Sequence, residues 1–230
     1  MKSIVIIPAY NEEKSILDTV EDLKKHAPDF DYIVVNDCSK DQTLQVCRQN
    51  RIPCLDLPVN LGIGGAVQTG YLYAKENGYQ IAVQFDGDGQ HDASYLGLMR
   101  NLLQEQQADM VIGSRFIEKE GFQSSGLRRM GIRYFTILIW MLTGVRITDP
   151  TSGMRMAGKH AIEIFAEHYP KDYPEPESIV AAIRQDLVVK EIPVAMRSRT
   201  EGVSSISAGR SIYYMIKVTL AIFLERLRRY

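Results

Sequence analysis

No stretch of this chain is long and apolar enough to cross a bilayer. The longest uncharged apolar run, "YFTILIWMLTGV" (134–145), has 12 residues between Arg133 and Arg146, whereas a span needs about 20. The opening "MKSIVIIPAYNEE" has only four apolar residues in a row before Pro8, too few for a secretory leader. Cysteine is scarce: Cys38, Cys47 and Cys54 are odd in number and lie in no metal-like spacing. That excludes a disulfide framework and suits thiols in a reducing cytoplasm. A net charge of −1 over 230 residues gives no overall attraction to nucleic acid. Repeats and low-complexity tracts are absent. What remains, 45% hydrophobic and 24% charged residues, is the composition of a folded chain with a sizeable core.

Two further absences narrow the chemistry. "NLGIGGAVQTG" (60–70) is glycine-rich, but a G-x-G-x-x-G beginning at Gly62 needs glycine where Val67 stands, and no Gly-Lys-Ser/Thr follows. Neither a dinucleotide fingerprint nor a P-loop is present. "PAYNEEKS" (8–15) has no glycine, unlike the Gly-rich, lysine-containing N-terminal loop of a nucleotidyltransferase.

Short β-branched runs alternate with amphipathic segments. "SIVIIP" (3–8), "YIVVND" (32–37), "CLDLP" (54–58), "YQIAVQFD" (79–86) and "DMVIGSR" (109–115) read as strands. Helices are expected from Asn11 or Glu12, after Ser39–Asp41, after Gly64 and after Ala93. Near-continuous apolar strands alternating with helices predict an open, mainly parallel sheet covered on both faces. Ligands of such sheets sit beyond the carboxyl ends of the strands. The polar clusters "PAYNE", "NDCSKDQT" and "FDGDGQH" follow three different strands, so all fall on that one edge.

"QFDGDGQHD" (84–92) crowds three carboxylates, two glycines and a histidine into nine positions. Asp86 and Asp88 repel each other unless a cation lies between them. A hard divalent ion, Mg²⁺ or Mn²⁺, suits an all-oxygen site left open for phosphates. Gly87 and Gly89 allow a sharp turn, Gln90 offers a neutral oxygen, and His91 a nitrogen suited to manganese. The plain alternative is an Asp/Gly-rich turn. Asn11 or Glu12 could open a helix whose first amides receive a phosphate, and Asp37 could accept hydrogen bonds from a base or ribose.

"PAYNE", "NDCSKDQT", "NLGIGGAVQTG", "FDGDGQH", "GSR" (113–115) and "DPTSGMR" (149–155) stand in the order seen in glycosyltransferase family 2. The chain resembles the branch of dolichol-phosphate mannose synthases and bacterial polyprenyl-phosphate glycosyltransferases, over residues 4 to 206. The resemblance implies a GT-A fold for residues 1–208, a UDP- or GDP-linked sugar donor, a divalent metal, and inversion at the anomeric carbon. It places Pro8, Tyr10, Glu12, Val35, Asp37, Asp86 and Gly87 at the donor, Asp86, Asp88 and Gln90 at the metal, and Arg115 facing the phosphates. The chain departs from the family at Asn36, where a second aspartate is usual.

Hydroxyl-directed relatives often carry a Glu-Asp pair in the second half; here that region reads "DYPEPESIV" (172–180). A phosphate acceptor needs cations rather than a base. "RSRTEGVSS" (197–205) resembles the segment that takes a lipid phosphate, with Arg199, Gly202 and Ser204 at the matching places, and Arg128 and Arg129 could assist. Asp149 is the base if the acceptor is a hydroxyl; Glu175 and Glu177 are weaker candidates. A saccharide hydroxyl as acceptor is thus the alternative to a polyprenyl phosphate, and a non-catalytic sugar-nucleotide scaffold is an alternative of another class.

From Arg197 to Tyr230 seven basic residues face two acids, which implies an anionic partner at that end. "SIYYMIKVTLAIFLERLRRY" (211–230) forms an amphipathic helix whose narrow charged stripe holds Lys217, Glu225 and Arg228. It could pack on the catalytic domain, join two protomers or lie on a membrane, with a small membrane protein as a further partner. The expected location is cytoplasmic, peripheral at the cytoplasmic face of the membrane.

Overall fold

Every residue of the first strand, β1 (Ser3–Ala9), is buried, and its alternation explains the layering. Ile4 and Ile6 enter one core with Ile33, Val35 and Val67; Val5 and Ile7 enter another with Ile16, Val20 and Val34. Successive strand side chains point to opposite faces, so a strand apolar at every position needs a layer on each side. The computed structural model, described for residues 1–118, 120, 126–171, 173–197 and 208–227, supplies both.

The other strands are β2 (Asp31–Asn36), β3 (Cys54–Asp56), β4 (Ile81–Gln84), β5 (Met110–Ser114), β6 (Arg155–Gly158) and β7 (Val189–Pro193), in spatial order β3-β2-β1-β4-β6-β5-β7. β6 runs antiparallel between β4 and β5, and the other pairings are parallel. The helices are α1 (Ile16–His26), α2 (Thr43–Gln49), α3 (Gly62–Glu76), α4 (Leu96–Glu105, preceded by a 3-10 turn), α5 (Gly126–Thr143), α6 (Lys159–Glu167), α7 (Pro174–Arg184) and α8 (Ala208–Leu227). The five strands and the helices expected from the sequence up to residue 115 are present. Two starts differ: α1 begins at Ile16 rather than at Asn11 or Glu12, and α3 at Gly62 rather than after Gly64.

Chain order reverses between β1 and β4, which opens a crevice at their carboxyl ends. Glycines hold elements close around it. A Cβ on Gly70 would stand 2.1 Å from Ile6 Cγ2, and one on Gly64 2.0 Å from the Pro170 carbonyl oxygen. Gly64 and Gly70 of "NLGIGGAVQTG" therefore serve packing. α8 buries Val218 and Ile222 in the same core as α3, α6 and α7.

Candidate active site

The carboxylate turn leaves β4 at the crevice. Gly89 has φ +75°, a conformation that favours glycine. Gly87 serves a close approach: its Cβ would lie 3.3 Å from the Pro8 carbonyl oxygen, and its own carbonyl accepts the Thr19 hydroxyl at 3.2 Å. Asp88 is buried, and its Oδ1 accepts the Gln90 amide at 3.0 Å. Asp86 is more open. A Cβ on Gly153 would sit 2.4 Å from Asp86 Oδ2, so "DPTSGMR" brings a glycine where any larger residue would displace that carboxylate.

His91 is held against Asp86 by its ring nitrogens. Its Nδ1 accepts the Asp86 amide at 3.1 Å, and Nε2 faces Asp86 Oδ2 at 3.5 Å. The ring is buried edge-on against Phe85, centroids 5.1 Å apart. It fixes the aspartate from behind. The Gln90 amide nitrogen reaches the Arg197 carbonyl at 3.4 Å, so its oxygen is the atom it would offer a cation.

"PAYNEE" and "NDCSKDQT" are clipped to each other. The amide of Asn11, at φ 59°, donates to Ser39 Oγ, that of Glu12 to Thr43 Oγ1, and that of Glu13 to Asp41 Oδ2; the Lys40 amide returns to Asn11 Oδ1. These amides are spent within the protein and form no phosphate-binding helix start, which corrects the expectation above. Glu12 Oε2 accepts the Ser15 hydroxyl at 2.7 Å. Pro8 pairs with Val35 across β1 and β2, and Tyr10 is exposed at the rim. Asp37 is buried, its Oδ1 accepting the Leu61 amide at 2.6 Å, and so ties α3 to the same edge. Asn36 Nδ2 donates to Asp56 Oδ1 at 2.8 Å. An aspartate there would set two carboxylates against each other, which accounts for the departure from the family pattern.

Arg115 follows β5 and forks onto Asp149: Nε donates to Oδ2 at 2.6 Å and Nη2 to Oδ1 at 2.7 Å. The Arg115 amide also donates to Oδ2, and Nη2 to Thr151 Oγ1. Asp149 is wholly buried. Both its oxygens are engaged, so the geometry gives it a positioning role and speaks against its role as a base. Glu191 on β7 supports the pair, accepting the amides of Thr148 at 2.7 Å and Asp149 at 2.9 Å.

Sequence reasoning passed over Arg155. It is wholly buried, donating to the carbonyls of Ser152, Pro150 and Glu175 and to Ser178 Oγ. Its place in "DPTSGMR" was the available signal. Glu175, in the first turn of α7, lies within electrostatic reach of Arg155 and Asp86. Burial pushes its carboxyl above the usual range; Arg155 pulls it down and Asp86 adds to the rise.

Asp22, His26 and Asp92 also cluster. Arg197 Nη2 reaches Asp22 at 3.0 Å and Asp92 at 3.2 Å, so a guanidinium already fills that place. The Arg197 amide donates to the Gln90 carbonyl at 2.9 Å, which lays the chain after β7 along the carboxylate turn. Arg199, Gly202, Ser204 and Arg228 lie outside the described residues. Arg128 is exposed in the first turn of α5, and its charge reaches Tyr214 of α8.

The profile described as Glycosyl transferase family 2 matches residues 4–165. This chain belongs to that family. It is an enzyme, a glycosyltransferase. It is similar to the UDP-N-acetylglucosamine–dolichyl-phosphate N-acetylglucosaminyltransferase of Methanococcus voltae, 30% identical over 210 residues and 83% of each chain. It is also similar to the undecaprenyl-phosphate mannosyltransferase of Micrococcus luteus, 28% identical over 91% of this chain and 89% of that one. The structure of glucosyl-3-phosphoglycerate synthase from Mycobacterium tuberculosis with Mn²⁺, UDP-glucose and phosphoglyceric acid superposes with a TM-score of 0.76 at 16% identity, over all of this chain and 81% of that one. The transferase thus has the GT-A fold expected from its motifs.

Proposed function

We propose that this glycosyltransferase moves a hexose or N-acetylhexosamine from a UDP- or GDP-linked donor to a polyprenyl phosphate, with a divalent metal and inversion at the anomeric carbon. The observation that carries the reading is the pairing of an open carboxylate turn with an Asp149 that is locked on Arg115. The site can bind a diphosphate through a cation, while its best-placed aspartate has both oxygens engaged by Arg115. That combination suits an acceptor that is already an anion. Relatives named for dolichyl and undecaprenyl phosphate support it.

The donor set fits a hard cation: two carboxylates and an amide oxygen on one turn, with the Cβ-free Gly153 against Asp86. Asp86, Asp88 and Gln90 would hold Mg²⁺ or Mn²⁺. Such an ion spreads the charge that develops on the leaving diphosphate. His91 keeps Asp86 in place through its amide. The clipped loops and Asp37 form the wall for the base and ribose, with Val35, Pro8 and Tyr10 beside it. Arg115, oriented by Asp149, keeps a fixed positive charge at the same edge; such preorganised charge lowers barriers because nothing reorganises during transfer. Arg128, Arg199 and Ser204 would receive the acceptor phosphate. A lipid acceptor places the enzyme at the membrane, on the cytoplasmic face that nucleotide sugars reach.

A saccharide hydroxyl is the second reading, and Glu175 favours it. A hydroxyl needs a base, and Glu175, half-buried with its carboxyl held above the usual range and within electrostatic reach of Asp86, fits that need better than Asp149 does. The test offers the enzyme a panel of UDP- and GDP-sugars with Mn²⁺ and either undecaprenyl phosphate or oligosaccharides. Mass spectrometry of the products is expected to find a polyprenyl-phosphate sugar. A glycosylated saccharide that disappears in Glu175→Gln, with donor binding intact, would replace the first reading by the second.

A further inference from the structure

α8 buries one part of its apolar surface and leaves the rest exposed. The sequence predicts a narrow charged stripe and a broad apolar face, and a soluble protein ordinarily turns the apolar face inward. Here Glu225 is buried and Lys217 is half-buried over the Tyr173 ring at 5.4 Å. Only part of the apolar surface, at Val218 and Ile222, is covered. Ile216, Leu220, Leu224 and Leu227 form an outward stripe at helical spacing, Leu224 being 68% exposed and Leu227 77%. α5 does the same with Met130, Tyr134, Ile137 and Met141, beside a Trp140 that is 53% exposed. The two stripes are contiguous: Tyr134 Oη lies 3.1 Å from Thr219 Oγ1, and Gly131 lets Met215 pack close.

Charge decides what covers this face. The exposed charged side chains described on α5 and α8 are Arg128, Arg129, Arg133 and Arg226, all basic, in a chain of net charge −1. A second copy meeting the face would bring the same arginines and, among the described residues, no exposed acid of either helix to pair with them. An anionic bilayer complements them, and Trp and Tyr at the border of an apolar patch are the residues that settle at headgroup level. We propose that the joined α5–α8 face docks on an anionic lipid surface, with its aliphatic residues in the acyl boundary and its arginines at the headgroups. The buried side of α5 meets Thr148, next to the Arg115–Asp149 pair, so docking holds the crevice beside the bilayer. The surface goes beyond the proposed transfer, and its test does not depend on that reading.

The full chain is sedimented with vesicles of phosphatidylcholine, with and without about one third phosphatidylglycerol, with neither donor nor polyprenyl phosphate present. Binding is expected only with the anionic vesicles, weakening as salt is added. Arg129→Ala and Arg133→Ala are each expected to lower the partition coefficient about fivefold. Trp140→Glu and Leu220→Glu abolish binding, whereas Leu98→Glu, at an exposed position on α4, does not. Circular dichroism and melting curves confirm that each variant is folded. Absence of binding, equal binding to uncharged vesicles, or binding unchanged in folded Trp140→Glu and Leu220→Glu overturns the proposal. So does light scattering that shows a dimer which those two variants dissociate, because a second copy would then be the occupant.

Discussion

At the scale of single residues, partners on distant segments decide roles that the sequence leaves open. Asn36 looks like an arbitrary change from aspartate until Asp56 is seen across the strand pair. Asn36→Asp exchanges a hydrogen bond for a repulsion, and a loss of about 1–2 kcal/mol at neutral pH is expected in urea unfolding. That loss recovers on acidification and in the Asn36→Asp, Asp56→Asn double variant. Asp149 was legible as important but not as a salt-bridge partner, because Arg115 is 34 residues away. Asp149→Asn leaves a buried guanidinium without its counter-charge, at a cost of about 3–5 kcal/mol. A base acting only in catalysis would lose activity with stability intact. Burial raises the Glu191 carboxyl above its ordinary range, against hydrogen bonds from Thr148 and Asp149. The folded state then holds this proton more tightly than the unfolded chain, so its stabilisation is present at low pH. It is lost as pH rises from the ordinary carboxylate value through the raised one. Glu191→Gln is expected to flatten that part of the stability–pH curve.

At the scale of elements, the legible parts were those with a strong period. β1, β2 and β4 are apolar runs, and helix spacing marked α1 through Ile16, Val20 and Leu23. β6 was illegible because "RMAG" is four residues long, has no β-branched side chain, and starts with a buried arginine. β7, "VKEIP", has exposed and half-buried positions and includes a proline. The start of α1 was misplaced since its would-be first amides find side-chain partners on the next loop. Glycines separate close packing from mere flexibility. Gly64→Ala drives a Cβ into the backbone of Pro170 and Lys171, and a loss of about 1–3 kcal/mol is expected. Gly97 in α4 has nothing within 4 Å of its Cβ position, so Gly97→Ala is expected to raise the melting temperature through a gain of about 0.5–1 kcal/mol. Opposite signs for the two substitutions are the check.

At the scale of the molecule, the sheet order gathers turns from residues 8–13, 36–43, 86–91, 113–115 and 149–155 at one edge. The strand-end rule made the convergence of the first three readable in the sequence; residues 113–115 and 149–155 were legible only through the family resemblance. The sequence could not tell which face of α8 turns inward, because that depends on α7 and α5 packing on it. In the proposed transfer, Asp86 and Asp88 would hold a cation against a donor diphosphate while a lipid phosphate attacks the sugar. The most direct measurement follows nucleoside diphosphate release from the matching donor, with and without Mn²⁺ and undecaprenyl phosphate, in the native enzyme and in Asp88→Asn. Release that needs metal and lipid phosphate together, and falls at least about 100-fold in Asp88→Asn, is the expected result. Undiminished release in Asp88→Asn, or release that needs a saccharide and ignores the lipid phosphate, would contradict that proposal.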